Sequence, residues 1–325
     1  MKKYTYIIIA ITYCFFTGCK VNTDTSRQGQ VVIRQTFKKE IYATPKSMSI
    51  DTMMAFENWN IIDSLLLIES NGTEDFFYVF HSDNFKMEHS FGKKGNGPEE
   101  FIMPHLIQGA PDIMILDNAL HSINWLSSDT GLIERKTMLP LQNTYWQPHY
   151  FDENTLCFIQ NSPNELKWVI YDMQTKEIKD SLLFIDETNK GNTIQYEFAY
   201  YVDTTQLAIS FNYDNVTSYY KIHNKKLIPQ FTIKGERLDD KMYGTGVFIF
   251  RDNIYVLNQE NIDMQTHKGE SYLDVYSKGG DSLCRVHLNM IAGCMLLDLR
   301  NERILFYSPE NEDAFFSILL SELKV

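Results

Sequence analysis

The chain has 325 residues, of which 44 % are hydrophobic and 14 % aromatic, enough apolar material for a large core. Its formal net charge is −12, and the phosphates of DNA or RNA would repel such an acidic body, which excludes nucleic acid as the expected partner. The few cysteines have no metal-like spacing. We expect Cys157, Cys284 and Cys294 to be buried thiols, with a Cys284–Cys294 disulfide as the alternative.

Residues 1–18 have the features of a lipoprotein signal peptide. Two lysines come first, an apolar stretch too short to remain as a membrane span follows, and Cys19 comes directly after Gly18. A cysteine after a small residue resembles the bacterial lipobox, in which that cysteine is lipidated after cleavage. The sequence therefore predicts a lipid anchor at Cys19 and a polar, flexible tether over residues 19–30. Lysine at position 20, where aspartate signals inner-membrane retention, favours the outer membrane. An ordinary secretory signal is the alternative.

Residues 31–325 repeat a pair of strand-like runs six times, at intervals of 42 to 51 residues. The first runs are Leu65–Ser70, Ile113–Asn118, Thr155–Gln160, Gln206–Phe211, Asn253–Asn258 and Arg303–Ser308. The second runs are Phe76–Ser82, Ile123–Ser128, Trp168–Met173, Ser218–His223, Tyr272–Ser277 and Phe315–Leu320. A fixed period of this length built from short β-rich segments is typical of a β-propeller.

Each pair extends to four strands through an inner strand before it and an outer strand after it. The sixth pair is followed by only five residues, whereas Val31–Phe37 stands before the first pair with no partner of its own. We therefore expect Val31–Phe37 to form the outer edge of the last blade and close the ring. The predicted fold is all-β, a six-bladed propeller of four-stranded antiparallel blades with an N-terminal strand closing the last blade.

The segment Phe91–Phe101, FGKKGNGPEEF, is the most distinctive local motif. Its glycines permit backbone angles that other residues avoid, and the proline fixes the chain as it leaves. No lysine and hydroxyl open a helix after it, so a phosphate-binding loop is not expected. We interpret the motif as a structural crossover between blades one and two. Its defining residues are Gly92, Gly95, Gly97, Pro98, Glu100 and Phe101.

This motif and the strands before it resemble the TolB-like six-bladed propeller lipoproteins of gut-dwelling Gram-negative anaerobes. Their first crossover has the form G-x-x-G-x-G-P-x-E-F, which the six residues above match. The family is largely uncharacterised, so the resemblance implies the fold and a cell-envelope location but no activity. Similar lipoproteins often belong to glycan-uptake systems, which implies a glycan or an envelope protein as partner.

An aromatic segment leads into blade three, near the end of the propeller axis where ligands usually bind. Its residues Tyr145, Trp146, His149 and Tyr150 combine flat rings with polar tips. Such rings stack on the apolar faces of sugars while their polar atoms find partners, so these four residues are the predicted ligand-binding set. Packing between blades is the alternative role.

The sequence contains no recognisable catalytic motif: no histidine lies in an H-E-x-x-H pattern, and no serine lies in a G-x-S-x-G pattern. The leading prediction is therefore a non-catalytic binding or scaffolding module. The competing prediction is a hydrolase or lyase that uses a metal or carboxylates at the axial mouth. Some six-bladed hydrolases hold Ca²⁺ on the axis, and Asp117, Glu197, Asn212 and Asn258 are the residues from which such a site would be drawn.

Overall fold

The computed structural model describes most of the chain from Gly29 onwards. The described residues are 29–34, 36–48, 50, 56–71, 74–140, 144–161, 166–185, 198–212, 215–236, 241–263, 268–308 and 314–323. The predicted signal peptide, the lipidation site and almost all of the predicted tether lie outside them. The described residues contain no helix with the length and hydropathy needed to cross a membrane.

The described residues form strands joined by short turns, with one 3-10 turn at Leu320–Glu322. In chain order the strands are β1 (Gln30–Ile33), β2 (Glu40–Ala43), β3 (Lys46–Met48), β4 (Phe56–Ile62), β5 (Leu65–Ser70), β6 (Asp75–His81), β7 (Met87–Lys94), β8 (Glu100–Phe101), β9 (Pro104–Leu106), β10 (Ile113–Asp117), β11 (Ser122–Leu126), β12 (Ile133–Met138), β13 (Thr144–Asp152), β14 (Thr155–Asn161), β15 (Leu166–Asp172), β16 (Glu177–Ile185), β17 (Phe198–Val202), β18 (Gln206–Phe211), β19 (Val216–His223), β20 (Lys226–Lys234), β21 (Lys241–Phe250), β22 (Asn253–Asp263), β23 (Lys268–Ser277), β24 (Ser282–Leu288), β25 (Cys294–Asp298), β26 (Arg303–Tyr307) and β27 (Phe315–Leu319).

These strands form six sheets, each of which is one blade. Blade one has the order β4-β5-β6-β7-β8, blade two β9 to β12, and blade three β13 to β16. Blade four consists of β17 to β20 with β1 as a fifth strand, and blade five of β21 to β24 with β2 as a fifth strand. Blade six consists of β25 to β27 with β3 as its fourth strand. The first four strands of each blade are successively antiparallel, or the first three in blade six, as the repeated pairs predicted, and β8 pairs in parallel with β7 at the edge of blade one. The six-bladed all-β propeller is confirmed.

Six apolar clusters hold the ring together, one between each pair of neighbouring blades. The middle strands show little alternation of apolar and polar residues because both of their faces are buried. In β10, for example, all five residues are buried. The cluster between blades six and one includes Phe315 and Trp59, whose rings lie 5.9 Å apart, so the last blade packs directly on the first. Cys157, Cys284 and Cys294 are free thiols, and the alternative disulfide does not form.

The N-terminal strap, residues 29–48, closes the ring through a different strand from the one predicted. Val31–Phe37 does not complete the last blade, because β1 pairs in parallel with β20 at the outer edge of blade four. The next strand, β2, pairs in parallel with β24 of blade five. It is β3, antiparallel to β27, that closes blade six. This closing strand has three residues and only Met48 is partly buried, so it leaves no alternating pattern that a sequence reading could detect.

A buried ion cluster fastens the strap to blade five. The carboxylate of Asp274 on β23 is completely shielded from solvent and accepts hydrogen bonds from Arg34 of the strap and from Asn258. Arg285 of β24 adds two more, at 2.8 and 3.2 Å. Burial raises the pKa of Asp274, and the two arginines oppose that effect. Removing Arg34 would leave the buried Asp274 carboxylate with fewer compensating partners, which is strongly destabilising. This ion pair therefore holds the strap against blade five.

The glycine motif forms the passage from blade one to blade two. Gly92 has a φ of +82°, and a Cβ added there would lie 2.7 Å from a carbon of the buried Phe77 ring. Beyond it the chain turns so that β8 pairs in parallel with β7, and the Glu100 carboxylate accepts a hydrogen bond from the Gly97 N–H at 2.8 Å. Phe101 then packs in the cluster between blades one and two. The motif thus joins two blades by side-chain packing and a local hydrogen bond.

Candidate functional site

One cavity of about 320 Å³ lies on the propeller axis, and all six inner strands contribute to its wall. Its lining residues are Phe56, Glu57, Asn58, Trp59, Glu69, His105, Gln108, Trp146, Gln147, Pro148, His149, Ala199, Tyr200, Thr245, Gly246, Val247, Cys294 and Met295. Several stand at the starts of inner strands, and Phe56 at the start of β4 pairs with Ser70 at the end of β5. The cavity therefore lies towards the end of the axis where the turns between second and third strands gather.

Blade three supplies the most irregular part of this wall. The pairing of β13 with β14 shifts between Trp146 and His149, so the strand bulges there. Gln147 within the bulge has a φ of +47°, a left-handed conformation that residues other than glycine rarely adopt. Bulges re-aim side chains, and here the Trp146 side chain is left 40 % exposed at the cavity. Strained backbone of this kind concentrates at functional sites.

Two buried rings, one from blade three and one from blade four, contact the bulge. The Tyr200 hydroxyl of blade four donates a hydrogen bond to the Gln147 carbonyl oxygen, and His149 Nδ1 lies 3.4 Å from the same oxygen. The His149 and Tyr200 ring centroids are 4.4 Å apart. Burial lowers the pKa of His149 to about 4, so the ring is neutral at pH 7 and its Nδ1–H can donate. The bulge is thus held in place by contacts between two blades.

A second polar pair lies in the wall between blades one and two. Glu69 at the end of β5 places one carboxylate oxygen 3.1 Å from His105 Nδ1 and accepts the Leu106 N–H at 2.7 Å with the other. His105 Nε2 is shielded from solvent and has no hydrogen-bond partner among the described residues. The His105 ring centroid is 6.1 Å from that of Trp146. An oriented imidazole therefore stands beside the exposed indole.

The structure divides the four residues of the predicted aromatic set. Trp146 and His149 line the cavity, whereas Tyr145 is 2 % exposed and packs edge-on against Phe158 in the cluster between blades two and three. Tyr150 is half-buried against the same cluster. The two tyrosines are therefore packing residues, because the alternation of a strand sends neighbouring side chains to opposite faces.

Sequence reasoning did not identify Glu69 and His105 as part of this site. One signal for His105 was available, because the dipeptide Pro-His occurs in the inner strands of both blades two and three, as Pro104-His105 and Pro148-His149. Both histidines line the cavity. Glu69 has no comparable signal, since its partner lies 36 positions away on another blade.

Of the residues considered for axial Ca²⁺, Asp117 and Asn258 are engaged within their own blades, whereas the side-chain oxygen of Asn212 is buried with no hydrogen-bond partner among the described residues. Asp117 accepts backbone N–H groups from Ile102, Ala119 and Leu120 and so shapes a turn of blade two. Asn258 bonds to Gly244 and to the buried carboxylate of blade five. Glu197 lies outside the described residues. Within the described ranges, no group of three or more histidine, cysteine, aspartate or glutamate side chains is arranged to hold a metal ion.

The cavity also contains a cysteine, but its chemistry does not favour nucleophilic catalysis. Burial raises the pKa of the Cys294 thiol to about 12, so it stays protonated at neutral pH. The thiolate is the reactive form, so a thiol that stays protonated is a weak nucleophile. The Cys294 thiol is therefore a poor nucleophile at neutral pH.

A second concavity, a groove of about 620 Å³, lies between the strap and blades four and five. Three of its four lining cations are already committed to carboxylates: Arg34 and Arg285 pair with Asp274, and Lys241 pairs with Glu260, which leaves Lys234. The groove therefore offers little unused charge to a ligand, and the axial cavity is the better candidate site.

Comparison with known proteins gives the fold and little more. No family model matches the chain, and no curated protein matches it. Among solved structures, a putative exported protein of Bacteroides fragilis is 13 % identical with a TM-score of 0.56, covering 86 % of this chain and 99 % of its own. A member of the DUF4221 family from Bacteroides vulgatus is 10 % identical with a TM-score of 0.58, covering 84 % and 94 %. The β-propeller domain of Cps50 (Swd1) from Myceliophteria thermophila is 8 % identical with a TM-score of 0.53, covering 84 % and 98 %.

Proposed function

We propose that this protein is a non-catalytic binding or scaffolding module of the bacterial cell envelope, which engages a glycan or an envelope protein at its axial cavity. The observation that carries the proposal is the cavity itself, to which all six inner strands contribute and at which a strained bulge presents Trp146. Ligand sites of propellers and barrels commonly lie in such a mouth, lined by aromatic groups and a few placed polar groups.

The envelope location rests on the N-terminus and on similar proteins. The lipobox-like Cys19 and the resemblance to TolB-like propeller lipoproteins support a lipid-anchored, outer-membrane protein. One structure of similar fold is described as an exported protein of a Bacteroides species. A Cys19→Ser variant tests the anchor: we expect the protein to leave the membrane fraction and to lose incorporation of labelled fatty acid. Unchanged membrane retention in Cys19→Ser would reject lipidation at this residue.

A binding screen tests the role of the cavity. The mature protein is applied to a glycan array and to immobilised envelope proteins, alongside Trp146→Ala and Tyr42→Ala. Tyr42 is a matched control, because it is 81 % exposed on the strap and stacks on His287, away from the cavity. We expect Trp146→Ala to lose binding and Tyr42→Ala to keep it. Equal binding by both variants and the wild type would place the ligand elsewhere.

A further inference from the structure

The charged residues that line the axial cavity limit the class of ligand that it can bind. Its described lining residues include Glu57 and Glu69 but no lysine or arginine. An anionic ligand would therefore lose its hydration without gaining a counter-charge, which is costly in a partly enclosed site. The whole chain is also acidic, at −12, so long-range attraction does not favour anions either.

The same carboxylates do not make a strong cation site. Glu69 is only 5 % exposed at its side chain, and both of its oxygens already accept hydrogen bonds. Glu57 is exposed, so water and salt screen its charge. The charge balance of the wall thus favours an uncharged ligand.

The aromatic surface available to such a ligand is a single indole. Trp59 and Tyr200 are buried, and Phe56 stacks on Tyr307 with ring centroids 4.0 Å apart. Among the described lining residues, Trp146 is the one aromatic side chain that offers an exposed ring to the cavity, with the exposed side chain of Gln147 beside it. A flat aromatic platform next to amide groups suits the apolar face and the hydroxyl rim of a sugar ring.

A polar anchor lies beside this platform. Glu69 accepts from His105 Nδ1, so the other ring nitrogen, Nε2, is the one left for a ligand. That nitrogen has no partner among the described residues and is shielded in a wall that includes Trp146. Because Nε2 is shielded in the unliganded protein, a ligand hydroxyl reaches it through a small side-chain movement of the wall on binding. The volume of about 320 Å³ is at the lower end of the range for ligand pockets, which limits the occupant to a small group.

We propose that the axial cavity binds an uncharged sugar ring, stacked on Trp146 and hydrogen-bonded through a hydroxyl to His105 Nε2. This inference rests on the proposed function and specifies its ligand class. Glu69 is a positioning residue in it, since it orients His105 and does not touch the ligand. The site accordingly discriminates against uronate, sialylated or sulfated versions of the same ring.

The experiment compares matched probes on the mature protein. A glycan array first presents neutral oligosaccharides and their uronate or sulfated counterparts. Titration calorimetry then measures the best neutral ligand, its uronate counterpart as the anionic probe, and choline as a small cationic probe. We expect at least tenfold weaker binding of the uronate, and no binding of choline. Trp146→Ala and His105→Phe should each weaken the neutral ligand about tenfold or more, while Tyr42→Ala leaves it unchanged. Circular dichroism and urea unfolding confirm that each variant is folded.

The outcomes separate this inference from the broader proposal. Equal or tighter binding of the anionic counterparts, or tight binding of choline, would overturn the neutral-sugar inference. If no glycan binds but an immobilised envelope protein does, and Trp146→Ala abolishes that interaction, the cavity remains the binding site and the sugar inference is rejected. If Trp146→Ala affects no interaction at all, both proposals are rejected.

Discussion

The buried His149 predicts a specific weakness of the fold in mild acid. Its pKa is lowered to about 4, against 6.5 for an ordinary histidine, because burial disfavours the charged ring. Between these two pH values the unfolded chain binds a proton at this ring and the folded protein does not. The stability contributed by His149 is therefore complete above pH 6.5 and is lost as the pH falls towards 4, by about 3 kcal/mol in total.

Urea unfolding at a series of pH values from 7.5 to 4.5 measures this loss. His149→Phe keeps a buried ring but cannot take up a proton, so its unfolding free energy should be flatter across the window than that of the wild type. His223→Gln is the control, because His223 is exposed at the end of β19, and it should keep the wild-type slope. The reasoning is refuted if His149→Phe loses stability between pH 6.5 and 4.5 as steeply as the wild type does.

Two further predictions concern the strap and the first crossover. Arg34→Ala leaves the buried Asp274 with fewer partners and should cost about 3 kcal/mol in urea unfolding. Arg251→Ala removes an exposed ion pair and an exposed contact with the Phe250 ring, and should change stability little. Equal effects of the two substitutions would mean that the strap is not held by its buried charge. Gly92→Ala adds a Cβ at positive φ, 2.7 Å from a buried phenylalanine ring, and should lower the free energy of unfolding by about 2 kcal/mol. Gly279→Ala is the control, because its methyl group has room, and it should change stability little. A Gly92→Ala protein as stable as Gly279→Ala would contradict the packing described for the crossover.

The sequence was most informative where the structure repeats. The six strand pairs were detectable because each buries both faces between neighbouring blades, which leaves short apolar runs at a constant spacing. An N-terminal strand does complete blade six, but Val31–Phe37 was assigned to it in place of β3, because the three strap strands have only three or four residues each and two of them pair in parallel. Such strands need no alternating pattern, so their partners could not be identified from the sequence.

The residues of the axial cavity could likewise be predicted only in part from the sequence. Trp146 could be singled out because it stands in an aromatic segment at the start of a blade. Its separation from Tyr145 depends on a bulge with Gln147 at positive φ, and no glycine or asparagine marks that position. The Glu69–His105 pair joins two neighbouring blades, and the packing of blade two on blade one brings its members together. Contacts of this kind arise from the topology and have no local sequence signal.

The central claim is that the partner of this propeller binds at the axial cavity, and methyl NMR of the wild-type protein tests it most directly. Met295 lines the cavity, whereas Met138 is 51 % exposed on the outer strand of blade two and Met87 is 42 % exposed on that of blade one. With ¹³C-methyl methionine, and Met295→Leu to assign the signal, a bound ligand should shift the Met295 resonance and leave Met138 and Met87 in place. Shifts at Met138 or Met87 with an unchanged Met295 would contradict the account.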